Sequence, residues 1–265
     1  IDRLMAEIKF LVDKYQPQLF YVVDDTFLAR PIKEIREFAA RYRAFRIPFW
    51  MNTRPETITK EITKLLREMN CYRISIGLEC GNEEFRKNNL KRLASNEEIL
   101  AKMEILNKGE LAFSVNNIIG FPDETRELIF ETIEFNRKLS GYDTLTVSIF
   151  TPYHGTKLRD EAIQKGYLDK ETIATHTTSS SLLKMPQLSS QEIDGLMRTF
   201  TMYVGFPKKW WPYIEVAEKF TVKGNKMFDK LSKMHREIYL AGDQFSKARK
   251  KLNWKEREKQ IMQKS

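Results

Sequence analysis

The 265-residue chain predicts an α/β fold made of five successive strand-and-helix units. Three observations point there. Short apolar runs begin near residues 19, 48, 72, 112 and 144, an interval of about thirty residues, the length of one strand plus one crossover helix. Segments with apolar residues at helical spacing separate them. Each run then ends in polar residues. With right-handed crossovers, five such units make either an open doubly wound sheet or part of a barrel.

Taken in order, Asp2 to Tyr15 carries Leu4, Ile8, Leu11 and Val12 on one face and predicts a helix. Leu19 to Val23 predicts a strand that ends in Asp24-Asp25-Thr26. Pro31 suits the first position of a helix running to about Phe45, with Ile35, Phe38 and Ala39 inward. Pro48 to Asn52 is a short strand ending in Asn52-Thr53-Arg54, and Ile58 to Met69 returns as a helix. The strand Tyr72 to Leu78 ends in Glu79. A polar segment then reaches Arg92, and Ser95 with Glu98 makes a capping box for a helix that Gly109 stops.

The most informative stretch is Val115 to Thr125, an apolar run that turns through Gly120 and Pro122 into Asp123-Glu124-Thr125, read as the start of a helix reaching Leu139. Asp143 to Phe150 is the fifth strand and ends in Thr151-Pro-Tyr-His154. Five strands therefore deliver polar groups at their carboxyl ends, where parallel α/β enzymes keep their chemistry. Asp24 and Asp25 are adjacent, so only one of them can face the inside of a barrel. The pattern changes past Tyr167. The domain reading is 1–167 barrel-like, 168–188 a polar, Ser/Thr-rich loop or linker, and 189–265 helical, opened by the capping box Ser189 and Glu192 and punctuated by Trp210, Trp211 and Tyr213.

Composition excludes several function classes. No run of eighteen apolar residues exists to cross a membrane. Two cysteines, Cys71 and Cys80, make no disulfide framework, and with three scattered histidines no zinc pattern can be written; a reduced, cytoplasmic setting is the default. The turn after Gly120 lacks the second glycine and the lysine of a phosphate loop. Of the net charge of +9, residues 216–265 carry 14 Lys and Arg against 6 Asp and Glu. That tail suits nucleic acid or anionic lipid, but its charges interleave with Phe228, Leu231, Met234 and Ile238 at helical intervals, as in an ordinary solvated helix.

The ordered set Asp24-Asp-Thr-Phe27, Asn52-Thr-Arg54, Ile76-Gly-Leu-Glu-Cys-Gly-Asn82, Asn117-Ile-Ile-Gly-Phe-Pro-Asp-Glu-Thr125 and Phe150-Thr-Pro-Tyr-His-Gly-Thr-Lys-Leu158 resembles the radical S-adenosylmethionine enzymes, especially the branch with a cobalamin-binding domain ahead of the barrel. The resemblance runs from about residue 1 to about residue 165. It implies a partial TIM-type (β/α)6 barrel lacking its first strand, with a C-terminal helical extension. It also implies a 4Fe-4S cluster that reduces S-adenosylmethionine to an adenosyl radical. In such enzymes three cysteines in a C-x3-C-x2-C loop hold three irons and leave the fourth open to the methionine moiety. That loop is absent here, and the expectation is that it lies upstream of Ile1, with any cobalamin domain.

Carried over by resemblance, Asp24, Asp25 and Thr26 meet the methionine amino group, although Asp-Asp-Thr stands where Gly-Gly-Glu is more familiar. Arg54 contacts the carboxylate, whose two oxygens match its fork, and Glu79 the ribose. Asn117, Ile118 and Gly120 border the adenine, with Ile118 packed on its face, and Thr151 and Tyr153 complete that border through backbone groups. The implied protein is a radical enzyme, with cobalamin-dependent methyl transfer among its reactions and a reductant such as ferredoxin or flavodoxin as partner. The alternative is a cluster-less barrel serving as a binding or scaffold module through its basic tail. The substrate is not legible.

Overall fold

The computed structural model describes residues 1–174 and 180–239. Five strands form one sheet in the order β1-β2-β3-β4-β5, each beside its predecessor: β1 (Phe20–Val22), β2 (Phe49–Thr53), β3 (Cys71–Glu79), β4 (Phe113–Ile119) and β5 (Thr144–Ile149). β1, β2 and β3 pair in parallel, with Phe20 beside Phe49 and Thr53 beside Ile76. β4 and β5 also run in parallel, because Asp143 N–H donates to the Phe113 carbonyl at one end and Phe150 N–H to the Ile119 carbonyl at the other. The helices are α1 (Asp2–Tyr15), α2 (Ile32–Tyr42), α3 (Lys60–Glu68), α4 (Glu83–Asn89), α5 (Asn96–Lys108), α6 (Arg126–Lys138), α7 (Lys157–Gln164), α8 (Ser190–Gly205), α9 (Trp211–Glu218) and α10 (Val222–Tyr239). No described helix is long and apolar enough to cross a membrane.

The chain forms two compact units. The first comprises Ile1–Leu78, Ala94–Val115 and Ser140–Thr144; the second comprises Glu79–Leu93, Asn116–Leu139 and the chain from Leu145 on.

In the first unit strand alternation sorts the side chains. Phe49 and Met51 of β2, Ile74 and Ile76 of β3, and Phe113 and Val115 of β4 are buried on one face. Phe49 meets Tyr42 edge-on at 5.2 Å and Phe27 at 6.4 Å, so this face is roofed by α2 and the turn that follows β1. Fully burying such side chains is worth about 1.5–3 kcal/mol each. β1 is shorter than the predicted Leu19–Val23. Leu19 and Val23 are exposed, and Asp24 N–H already turns back to the Val22 carbonyl. α2 has Pro31 as its N-cap rather than its first residue and ends at Tyr42, whose hydroxyl donates to the Ile47 carbonyl.

The second unit packs α8 and α9 against α6 and α10 around Phe200, Tyr203, Phe206, Ile214 and Leu231. Both predicted capping boxes exist, at Ser95 with Glu98 and at Ser189 with Glu192. Trp211 packs against Phe130 and Tyr203 at 5.4 Å each, and Trp210 against Phe206 at 5.9 Å, so this cluster joins α6 to α8 and α9. Within the region read as helical, 189–265, the described residues form α8, α9 and α10, and the portion from residue 240 on lies outside the described residues.

The sequence reading passed over α4. Asn82 caps it, its Oδ1 accepting from Phe85 N–H at 2.7 Å, but only Phe85 and Leu90 are apolar, so no helical stripe marks it.

One residue of α10 yields a pH prediction. His235 lies 5.9 Å from the Phe206 ring; burial lowers its pKa to about 4, against a hydrogen bond to the Thr201 backbone that favours the charged ring. The unfolded chain takes up this proton near pH 6.5 and the folded one only near 4. Stability is therefore present above pH 6.5 and lost as the pH falls toward 4. Urea midpoints between pH 7 and 4.5 are expected to fall more steeply for the native protein than for His235→Gln.

Candidate functional site

The sequence-predicted residues fall four to the first unit and six to the second. In the first unit the loop after β1 is a tight turn in which Asp24 Oδ1 accepts from Thr26 N–H at 3.0 Å and Oδ2 from Arg30 at 2.7 Å. Partial burial opposes its charge, but Arg30 and the Thr26 amide together hold the Asp24 carboxyl below its ordinary range. Asp24 is thus committed to the turn, whereas the side chain of Asp25 is exposed. Thr26 is half-buried and its carbonyl accepts from Ala29 N–H. Arg54 follows β2. Its Nη1 lies 4.0 Å from Glu56 Oε1, the limit of an ion pair, and the side chain is 45% exposed, so its fork remains available to a carboxylate.

In the second unit Glu79 ends β3 with φ +66° and its carboxylate meets Arg92 Nη2 at 3.1 Å, the pair 15% and 20% exposed. Arg92 holds this carboxylate in place. The neighbouring segment is pinned from below: Arg86 is buried and donates to the Cys80 carbonyl at 2.8 Å, and Gly81 N–H donates to Thr132 at 2.8 Å.

The Asn117 side chain is engaged inside the protein. Its amide nitrogen donates to Asn136 Oδ1 and to the Thr146 carbonyl, and its oxygen accepts from Asn136 Nδ2 at 2.7 Å. Both residues are buried, so this side chain fastens β4 to α6 and has no amide hydrogen left to offer a cosubstrate. Alternation supplies the reason: Asn117 shares the helix-covered face with Val115 and Ile119, while Asn116 and Ile118 point the other way and are only half-buried. Ile118 is one of the half-buried apolar side chains packed against the second unit's core.

The turn after β4 is where the structure departs from the expected local shape. Asp123 and Glu124 do not start the helix; Thr125 caps α6 and Asp123 stands at φ +65°. Glu124 is fully buried, and its Oε2 accepts from Gly120 N–H at 2.5 Å and Phe121 N–H at 3.1 Å. Burial raises its pKa to about 8 against those two amides. Gly120 at φ +81° is required, since a Cβ there would sit 3.2 Å from Ile193 in a strained backbone. Beyond β5, Thr151 is half-buried and its carbonyl accepts from Tyr153 N–H, while the Tyr153 ring is exposed. Buried Arg159 fixes this loop by donating to the carbonyls of Pro152, Lys170 and Thr172 at 2.8–2.9 Å. Glu124 and Arg159 escaped the sequence reading, because a charged residue at a helix start is ordinarily solvated.

Residues 1–135 match the family model described as the radical SAM superfamily, just over half of the chain. The chain belongs to the radical SAM superfamily. Among curated relatives, it is 28% identical over 207 residues to uncharacterized methyltransferase PH0819 of Pyrococcus horikoshii, covering 78% of this chain and 44% of the relative. It is also 28% identical over 152 residues to the tRNA-2-methylthio-N(6)-dimethylallyladenosine synthase of Clostridioides difficile, covering 55% of this chain and 29% of that enzyme. The chain thus spans less than half the length of these relatives. Two solved structures share the fold. The cobalamin-dependent S-adenosylmethionine radical enzyme OxsB does so at a TM-score of 0.54 and 12% identity over 89% of this chain and 41% of its own. Coproporphyrinogen III oxidase from Escherichia coli does so at 0.51 and 19% over 72% and 41%. The fold is the partial α/β barrel of that superfamily.

A 4Fe-4S cluster does not fit the residues of this radical SAM chain. Its two cysteines, free and buried, have thiols that burial pushes up to about 12, the opposite of what a thiolate ligand requires. Among the described residues no group of His, Cys, Asp and Glu is arranged to hold a metal ion. Polar groups suited to S-adenosylmethionine are present at strand ends within each unit: the Arg54 fork and the Asp25 carboxylate in the first, and the Glu79 carboxylate in the second.

Proposed function

We propose that this chain is the cosubstrate-gripping part of a radical SAM enzyme that cleaves S-adenosylmethionine reductively, with methyl transfer as its reaction. Family membership supports the cosubstrate, and the likeness to a methyltransferase supports the reaction class. The single observation that carries the site is Arg54: a guanidinium at the carboxyl end of β2 held only at the limit of one ion pair. The cluster would be held by cysteines outside these residues, reduced by a ferredoxin or flavodoxin, and cobalamin would serve as methyl carrier from a separate domain. Asp25, in the same unit as Arg54, would accept from the methionine amino group.

Calorimetric titration of the chain with S-adenosylmethionine tests this. Arg54→Ala is expected to weaken binding about tenfold, as for loss of a charge-assisted pair worth about 1.5 kcal/mol, whereas Arg67→Ala changes nothing. Absence of binding, or equal binding by both variants, overturns the site. Anaerobic incubation with iron and sulfide is expected to leave the chain without a stoichiometric cluster.

A further inference from the structure

The face of the first unit's sheet opposite its helices carries aromatic and polar side chains where an unused face would carry solvated charges. Tyr21, Trp50, Asn52, Arg73, Ser75 and Ser114 share it by alternation. Two rings stand on it side by side, 5.4 Å apart and edge to face. The indole is fixed from three sides. Its Nε1 donates to Ser75 Oγ at 2.7 Å, that hydroxyl meets Ser114 Oγ at 3.1 Å, and the Arg73 guanidinium lies over the ring at 5.4 Å. The phenol is fixed as well, its hydroxyl accepting from Asn52 Nδ2 at 3.2 Å. Ser75, Ser114 and Arg73 are buried beneath the rings, yet Tyr21 remains 54% exposed and Val23 beside it 84% exposed.

Holding two large side chains in single rotamers costs conformational entropy, and exposed apolar ring area adds nothing to folding. A preorganised platform recovers both when a ligand stacks on it. The quadrupole of an aromatic pair selects a flat π-system over an aliphatic one. Asn52 adds direction, because its side-chain amide stands at the Tyr21 hydroxyl and carries an oxygen as well as the nitrogen that donates there. An amide oxygen accepts from a ring N–H or exocyclic amine. We propose that Tyr21, Trp50 and Asn52 form the subsite for the enzyme's second substrate, a planar heteroaromatic ring bearing a hydrogen-bond donor. The proposal rests on the reading that the chain is part of a radical SAM enzyme and names the substrate class of that enzyme.

The experiment is fluorine NMR of the chain carrying 5-fluorotryptophan at its four tryptophans, with the Trp50 signal identified by its loss in Trp50→Phe. Titration with guanosine is expected to move that signal alone, and cyclohexanol to leave it in place. Stacking on one aromatic side chain is worth about 1–3 kcal/mol, roughly 5- to 150-fold in affinity. Tyr21→Leu, a change at an exposed edge that leaves the core intact, is expected to weaken guanosine within that range, and Asn52→Ala by about fivefold. Arg54→Ala leaves guanosine binding unchanged, which separates this subsite from the cosubstrate site. No movement of the Trp50 signal, equal movement with cyclohexanol, or displacement of guanosine by S-adenosylmethionine each overturns the proposal. The last outcome assigns the platform to the cosubstrate.

Discussion

Glu124→Ala is expected to destabilise the second unit by about 2–6 kcal/mol, because it strands two buried N–H groups, each worth about 1–3 kcal/mol, over a new cavity. The two donors are Gly120 and Phe121 of the turn after β4, and among the described residues this carboxyl is their acceptor, at 2.5 and 3.1 Å. The pH dependence separates the charge from the shape. With the pKa raised from 4.5 to about 8, the folded chain holds a proton on Glu124 that the unfolded chain has already released. Stability is therefore fully present below pH 4.5 and declines as the pH rises toward 8, by up to about 1.4 kcal/mol for each pH unit. Glu124→Gln keeps an acceptor for both amides and carries no titrating proton. Its urea midpoint is expected to equal that of the native protein near pH 5 and to exceed it at pH 8.5. Parallel curves for the two proteins would show that the carboxyl is ionised throughout and that its second oxygen has a partner.

What was legible in the sequence, and what was not, follows from the reach of each signal. β2, β3 and β4 announce themselves because apolar runs such as Ile74 to Leu78 are buried, and both capping boxes because Ser and Glu three residues apart satisfy each other locally. Residue identity at the strand ends was readable; side-chain direction was not. Asn117 looked like a ligand residue and is spent on Asn136, nineteen residues away, through a contact no local pattern encodes. Glu124 looked like a solvated helix start, yet folds back into the turn. α4 was missed because its hold on the fold comes from buried Arg86 rather than from a stripe of apolar residues.

The same kind of long-range bond sets the second large effect, at Arg137. Its Nη1 reaches three carbonyls at the end of α8, those of Tyr203, Val204 and Phe206, at 2.8, 3.0 and 2.8 Å. A helix C-terminus exposes unpaired carbonyls and a partial negative charge, and a cation there answers both. With its side chain 11% exposed, Arg137 works in a medium where such bonds are little screened. Its guanidinium also lies 5.7 Å from the Trp211 ring, so it joins α6, α8 and α9. Arg137→Ala is expected to cost about 3–5 kcal/mol in urea unfolding, the range for leaving buried polar groups without their charged partner. Arg137→Lys places one ammonium where a planar fork had served, and is expected to restore less than half of that loss. Full recovery by lysine would mean that charge alone holds this junction and that the three-carbonyl geometry is incidental.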